Sequence, residues 1–169
     1  MAANERLIAV CPGSYDPVTK GHLDIIERAS RVFERVVVGV VNQPVRKQAT
    51  LFSADERRDF LLQATEKLAN VEVDVFDTLL VDFARKHGAT ALVKGLRAIS
   101  DFEYEFEMNQ LNRKLAADIE SVYLMASPEY SFLSSSGIKE LATFGANIDD
   151  LVPDEVARAL HDRLSRQRA

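Results

Sequence analysis

Five short runs of apolar and β-branched residues recur along this chain, each followed by a segment long enough for a helix, and no other feature narrows the fold so far. The runs are Leu7 to Cys11, Arg35 to Val41, Val71 to Val75, Ala91 to Lys94 and Ser121 to Met125. They are close to continuously apolar rather than alternating, so they read as strands covered on both faces. Between them Ile25, Ala29 and Val32 recur at helical spacing, as do Phe60, Ala64 and Leu68. Ser53 with Glu56 three residues on is a capping box that fixes where the second of these helices begins. Leu80 to His87, Ser100 to Ala117, Ser135 to Phe144 and Pro153 to Arg168 complete the helical set, with Pro153 suited to a first turn. Strand and helix in alternation, joined by connections of helical length, predict an α/β fold: a Rossmann-like, doubly wound, parallel five-stranded sheet with helices on both faces.

No repeat, low-complexity stretch or linker interrupts this pattern, so residues 1–169 read as a single domain. A hydrophobic content of 47% is too high for a disordered chain, and the formal charge of −5 argues against a nucleic-acid partner, which needs a surplus of cations. The opening MAANERLIAV has no basic region leading into an apolar core, and no later segment approaches a membrane-spanning length. A cytoplasmic protein without membrane contact is expected. The lone Cys11 cannot form an internal disulfide, and in an apolar strand it reads as a small buried hydrophobe in a reducing compartment. Arg163, Arg166 and Arg168 give the last helix a basic end that suits its dipole.

In folds of this class ligands bind beyond the C-terminal ends of the strands. Four loops lie there: Pro12 to Gly21, Asn42 to Phe52, Gly95 to Asp101, and Ala126 to Ser136. The first, within PGSYDPVTKGH, has Gly13 and Gly21 where the backbone can approach a ligand, with Asp16-Pro17 as a turn between them. Asp16 reads most simply as the side chain of an Asx turn. At the start of the next helix the backbone N–H groups carry partial positive charge, and His22 adds a donor, so the target of the loop is an anion such as a phosphate. The stretch is neither a P-loop nor a G-x-G-x-x-G turn. No nucleophile elbow with a Ser, His and Asp set is present, and His22, His87 and His161 lack metal-ligand spacing, so no residue is assigned to a metal.

PGSYDPVTKGH resembles the [TS]-F-D-P-x-[TH]-x-G-H signature of the nucleotidyltransferase superfamily. Three further stretches, KGLRAISDFEYE from Lys94, ESVYLMASPEYSF from Glu120 and LSSSGIKE from Leu133, are similar in order to the phosphopantetheine adenylyltransferase family, over nearly the whole chain. The resemblance implies transfer of the adenylyl group of ATP to 4'-phosphopantetheine, giving dephospho-coenzyme A and pyrophosphate, by in-line attack without a covalent intermediate. It implies that His22 donates to the α-phosphate as charge develops and that Ser14 touches both nucleotide and acceptor phosphate. Tyr15 stands where the family usually has Phe. Lys94 matches the residue holding the acceptor phosphate, and Gly95, Leu96 and Arg97 match a segment contacting ATP, as does Glu105. Tyr130 matches an aromatic position of the adenine-side loop, which Ser131, Phe132 and Leu133 continue. Ser134, Ser135 and Ser136 match hydroxyls that meet the outer phosphates, although serine is also the favoured N-cap. Leu80 matches an apolar position beside the pantetheine arm. In NQPVRKQATLF about two residues more than in the family pattern precede Phe52, and Lys47, rather than Arg46, is assigned to the acceptor phosphate.

The resemblance also implies magnesium carried mainly on the ATP phosphates, a homohexamer, and coenzyme A as a feedback ligand. Nicotinamide mononucleotide adenylyltransferases carry histidine at the position of Thr19 and typically arginine at that of Lys139, and glycerol-phosphate cytidylyltransferases lack the GLR-to-DFEYE block. A nucleotide-sensing module without turnover is a reading from another class; the intact set of His22, Lys94 and Arg97 favours an enzyme.

Overall fold

The computed structural model describes residues 7–44 and 49–168. Its strands are β1 (Ile8–Gly13), β2 (Arg35–Val41), β3 (Val71–Phe76), β4 (Ala91–Leu96) and β5 (Glu120–Met125). Its helices are α1 (Lys20–Val32), α2 (Ala54–Ala64), α3 (Leu80–Lys86), α4 (Ile99–Leu115), α5 (Ser135–Thr143) and α6 (Asp154–Arg168), with a single 3-10 turn at Pro128–Tyr130. The strands form one parallel sheet in the order β3-β2-β1-β4-β5. The Rossmann-like α/β expectation holds.

The valine run of β2 shows why these strands read as uninterrupted apolar segments. Val36, Val38 and Val40 join one core cluster, while Val37 between them joins the other. Ala9 and Cys11 against Val10, and Ala91 and Val93 against Leu92, divide in the same way. Helices α1, α2, α5 and α6 cover the first face through Ile26, Leu61, Ile138 and Leu160; Val81, Phe83 and Ala84 of α3 cover the second. Both faces are apolar because both are buried.

Two expectations need correction. The edge strands β3 and β5 are only partly covered, since each has a neighbour on one side. Gly95 and Leu96 do not open a loop: they continue β4, paired in register with Leu124 and Met125, and the loop begins at Arg97.

The chain runs outward from β1 through β2 to β3, then returns to place β4 on the other side of β1. At such a reversal the loops after the two central strands diverge and leave a crevice at their C-terminal ends. The loop after β1 leads into α1, and the one after β4 into α4. No helix among the described residues is long and apolar enough to cross a membrane.

Candidate active site

A cavity of about 480 Å³ opens at that reversal, between the ends of β1 and β4 and the start of α5. Its walls include Ser14, Tyr15, Thr19, His22, Lys94, Arg97, Glu105, Tyr130 and Ser134 to Ser136. The volume suits a nucleotide-sized ligand.

The turn after β1 is held by its own side chains. Thr19 is the N-cap of α1, and its side chain accepts the backbone N–H of His22. In return Nδ1 of His22 accepts the Thr19 backbone N–H at 3.0 Å, closing a capping box with imidazole in the place usually taken by glutamate. A backbone amide can only donate, so Nδ1 carries no proton and the proton of the neutral ring sits on Nε2. The ring meets Tyr15 edge-on at 5.1 Å between centroids. Tyr15 is buried at φ +47, a left-handed conformation that bulky side chains rarely adopt, and its hydroxyl donates to the Cys11 carbonyl at 2.9 Å. A side chain at Gly13 would lie 2.9 Å from the Tyr15 ring. Gly13 therefore makes room for Tyr15 within the protein, besides bringing backbone to the cavity wall.

Asp16 is more than the turn residue expected. It is wholly buried, and its carboxylate accepts the N–H groups of Leu51 and Phe52 at 3.0 Å each and the ammonium of Lys139 at 2.8 Å. Burial pushes its pKa up, but the Lys139 bond and the two amides outweigh that and hold it below the ordinary carboxylate value. Arg57, also buried, donates to the carbonyls of Ser14, Val41, Asn42, Phe52 and Ser53. The loop between β2 and α2 is thus tied at both ends to the turn that carries Ser14. Lys47 and Arg46, assigned from sequence to this loop, lie outside the described residues.

On the β4 side, Lys94 donates to Glu105 of α4 at 2.5 Å, with both side chains mostly shielded from water. The ammonium has three N–H groups and this bond engages one, so Lys94 can meet an anion without leaving Glu105. Arg97 forks onto both oxygens of Asp101 at 3.0 and 3.1 Å and also donates to the Leu133 carbonyl, joining the start of α4 to the approach to α5. There Ser134 caps α5 by accepting the Gly137 N–H at 3.0 Å, and buried Ser135 donates to the Pro17 carbonyl at 2.8 Å. Ser136 is the exposed member of the triplet and lines the cavity. The three serines divide into a cap, a tie to the first turn and an exposed edge on the cavity.

The remaining assignments fall further out. Leu133 lines the cavity, while Ser131 and Phe132 are exposed and stand outside its walls. Leu96 is buried at the end of β4, and Leu80, the first residue of α3, packs partly on the second core cluster. Thr19, Asp101 and Tyr104 line the cavity without having been assigned a ligand role from sequence. For Thr19 a readable signal existed, a threonine three residues before a side chain able to accept a backbone N–H.

The arrangement brings the N-termini of α1 and α5, an imidazole, an ammonium and a guanidinium to one cavity. Such an arrangement can hold a polyanion. Burial pushes the Cys11 thiol up to about 12, so the cysteine in the wall is no nucleophile near neutral pH. Among the described residues no group of three or more His, Cys, Asp or Glu side chains is placed to hold a metal ion.

A family model for cytidylyltransferase-like proteins matches residues 10–141. Among curated relatives, the chain is 54% identical to a phosphopantetheine adenylyltransferase of Moorella thermoacetica over 92% of this chain and 96% of that one. It is 51% identical to the protein of that name in Desulforudis audaxviator, over 92% of this chain and 94% of the other. A solved structure of a nicotinate-nucleotide adenylyltransferase from Vibrio parahaemolyticus superposes with a TM-score of 0.67 over 92% of this chain and 99% of that one at 17% identity, a likeness of fold alone.

Proposed function

This chain belongs to the phosphopantetheine adenylyltransferase family, among the cytidylyltransferase-like nucleotidyltransferases, and on that premise we propose how its cavity carries out the family reaction. The reaction moves the adenylyl group of ATP onto 4'-phosphopantetheine, giving dephospho-coenzyme A and pyrophosphate in coenzyme A biosynthesis. The acceptor phosphate attacks the α-phosphorus in line, forming one P–O bond as the bond to pyrophosphate breaks, with no enzyme-bound intermediate. Catalysis then consists of placing two anions and meeting the charge that grows between them.

The observation that carries this reading is the convergence of two helix N-termini on one cavity, with the proton of His22 held on Nε2 by Thr19. His22 donates from Nε2 to the α-phosphate oxygens. The serines at the start of α5 receive the outer phosphates, and Arg97 holds the α4 side of the nucleotide. Lys94, oriented by Glu105, takes the acceptor phosphate beside Ser14, with Lys47 and Leu80 as further acceptor contacts.

Among the described residues no side chains form a metal cage. The acids lining the cavity, Asp101 and Glu105, are already engaged by Arg97 and Lys94. Magnesium would then come with the substrate ATP as its counter-ion, held mainly by the phosphates rather than by side chains. Family likeness supports a homohexamer in the cytoplasm, with coenzyme A as a feedback ligand of the same crevice.

The test is to mix the purified protein with ATP, magnesium and 4'-phosphopantetheine and follow pyrophosphate. Nicotinamide mononucleotide and glycerol phosphate serve as comparison acceptors. Release with phosphopantetheine alone is expected; equal or faster release with either of the others would move the acceptor assignment, and ATP binding without release would favour a sensor.

A further inference from the structure

Lys139 follows the serine triplet by one helical turn on α5, where a cation would be expected to reach for the nucleotide phosphates. It does not line the cavity. Its ammonium instead lies 2.8 Å from Asp16, a carboxylate with no exposed surface. Asp16 in turn receives Leu51 N–H and Phe52 N–H, the last residues before the cap of α2. The same arm is fixed from other directions: Arg57 donates to the Phe52 carbonyl and to that of Ser14, and Arg163 of α6 donates to the Leu51 carbonyl at 2.8 Å. Of these anchors, Lys139 is the one supplied by the helix whose start faces the cavity.

We propose that Lys139 is a positioning residue for the acceptor: through Asp16 it sets the returning arm of the β2–α2 loop, at Leu51 and Phe52, against the turn that carries Ser14. The inference rests on the reading of phosphopantetheine as acceptor. The physical reason is geometric. A carboxylate with three charge-assisted bonds, two from the arm of the β2–α2 loop and one from α5, holds both segments at fixed spacing to its own turn, and removing the cation leaves two amide bonds that restrain the loop but no longer tie it to α5. Lys139 touches neither substrate, so its loss alters where the acceptor sits rather than how tightly ATP binds.

Four variants of the full chain test this: Lys139→Met, Lys139→Arg, Asp16→Asn, and Lys139→Met combined with Asp16→Asn. Each is measured for steady-state kinetics in both substrates, for ATP affinity by calorimetry, and for thermal midpoint. Lys139→Met should raise KM for phosphopantetheine on the order of tenfold while ATP affinity stays within about twofold. Lys139→Arg should restore most of the loss, and the double variant should be no worse in KM than Asp16→Asn alone, because both changes break one link. A comparable or larger loss of ATP affinity in Lys139→Met would overturn the proposal in favour of direct phosphate contact. A lowered midpoint with both KM values unchanged would reduce the pair to a structural role and overturn it too. Should Asp16→Asn not fold, the contrast between Lys139→Met and Lys139→Arg decides alone. A wild-type protein that releases no pyrophosphate from any acceptor would count against the acceptor reading itself, an outcome distinct from any difference among variants.

Discussion

What His22 can do follows from where its proton sits. The Thr19 amide occupies Nδ1, so the imidazole is fixed as a donor from Nε2, and Tyr15 meets the ring in an edge-on contact. A donor aimed at charge that develops only during transfer lowers the barrier without tightening ground-state binding. His22→Ala should therefore cut kcat by on the order of 10² to 10³-fold with ATP affinity little changed. Rapid-quench kinetics beside ATP calorimetry check this, and a matched loss of affinity would refute it. Asp16 has a different signature. Its folded pKa lies below the ordinary value, so the stability it contributes is complete above the unfolded pKa of about 3.9 and disappears as pH falls through the folded value. Breaking an enclosed pair on one side costs about 3–5 kcal/mol, and the partial exposure of Lys139 brings Asp16→Asn to about 2–3 kcal/mol at neutral pH. Urea unfolding at several pH values should show the gap between wild type and Asp16→Asn closing below about pH 4; a gap independent of pH would mean the charge contributes nothing.

The starts of α1 and α5 border the cavity, and helix starts were also the most readable elements in the chain. Ser53 with Glu56 opens α2 as its spacing predicts, each side chain bonded to the other's backbone N–H. Strands were legible for a related reason: in Val36 to Val40 every valine meets one core or the other, leaving no polar position to confuse the pattern. Long-range polar ties were not legible. Arg57 sits in ADERRDF, a charged run with no local sign of burial, yet it is buried because five carbonyls from the end of β2 and two loops converge on it. The Asp16 partners lie 35, 36 and 123 residues away, a distance that local turn chemistry says nothing about. At this scale the two serine caps make a clean comparison. Ser53→Ala and Ser134→Ala should each lower stability by about 1 kcal/mol, the ordinary weight of an N-cap. Only Ser134 lines the cavity, so only Ser134→Ala should also weaken ATP binding. Denaturant midpoints and ATP titrations of both variants check this, and equal effects on ATP would detach the start of α5 from the nucleotide.

For the molecule as a whole, α4 is the element the fold leaves least accounted for. None of its 17 residues is buried, although it carries Ile99, Phe102, Phe106, Leu111 and Leu115. Phe102 and Phe106, one turn apart with ring centroids 6.0 Å from each other, are more than half exposed, and Met125 at the end of the adjoining edge strand is 66% exposed. An apolar helix face of this kind is costly in water and is the usual mark of a surface that meets another chain. In a homohexamer such faces would be covered by neighbouring copies, and since α4 also carries Asp101 and Glu105 into the cavity, assembly would hold the wall of each site in place. Sedimentation of the wild-type chain should give a six-chain mass. Phe102→Glu combined with Phe106→Glu sets like charges on facing copies where apolar contact is needed, and should shift the protein to smaller species with a rise in KM for both substrates. A six-chain mass retained by the double variant would place the assembly surface elsewhere, and a wild-type monomer would leave the face of α4 without the partner proposed for it.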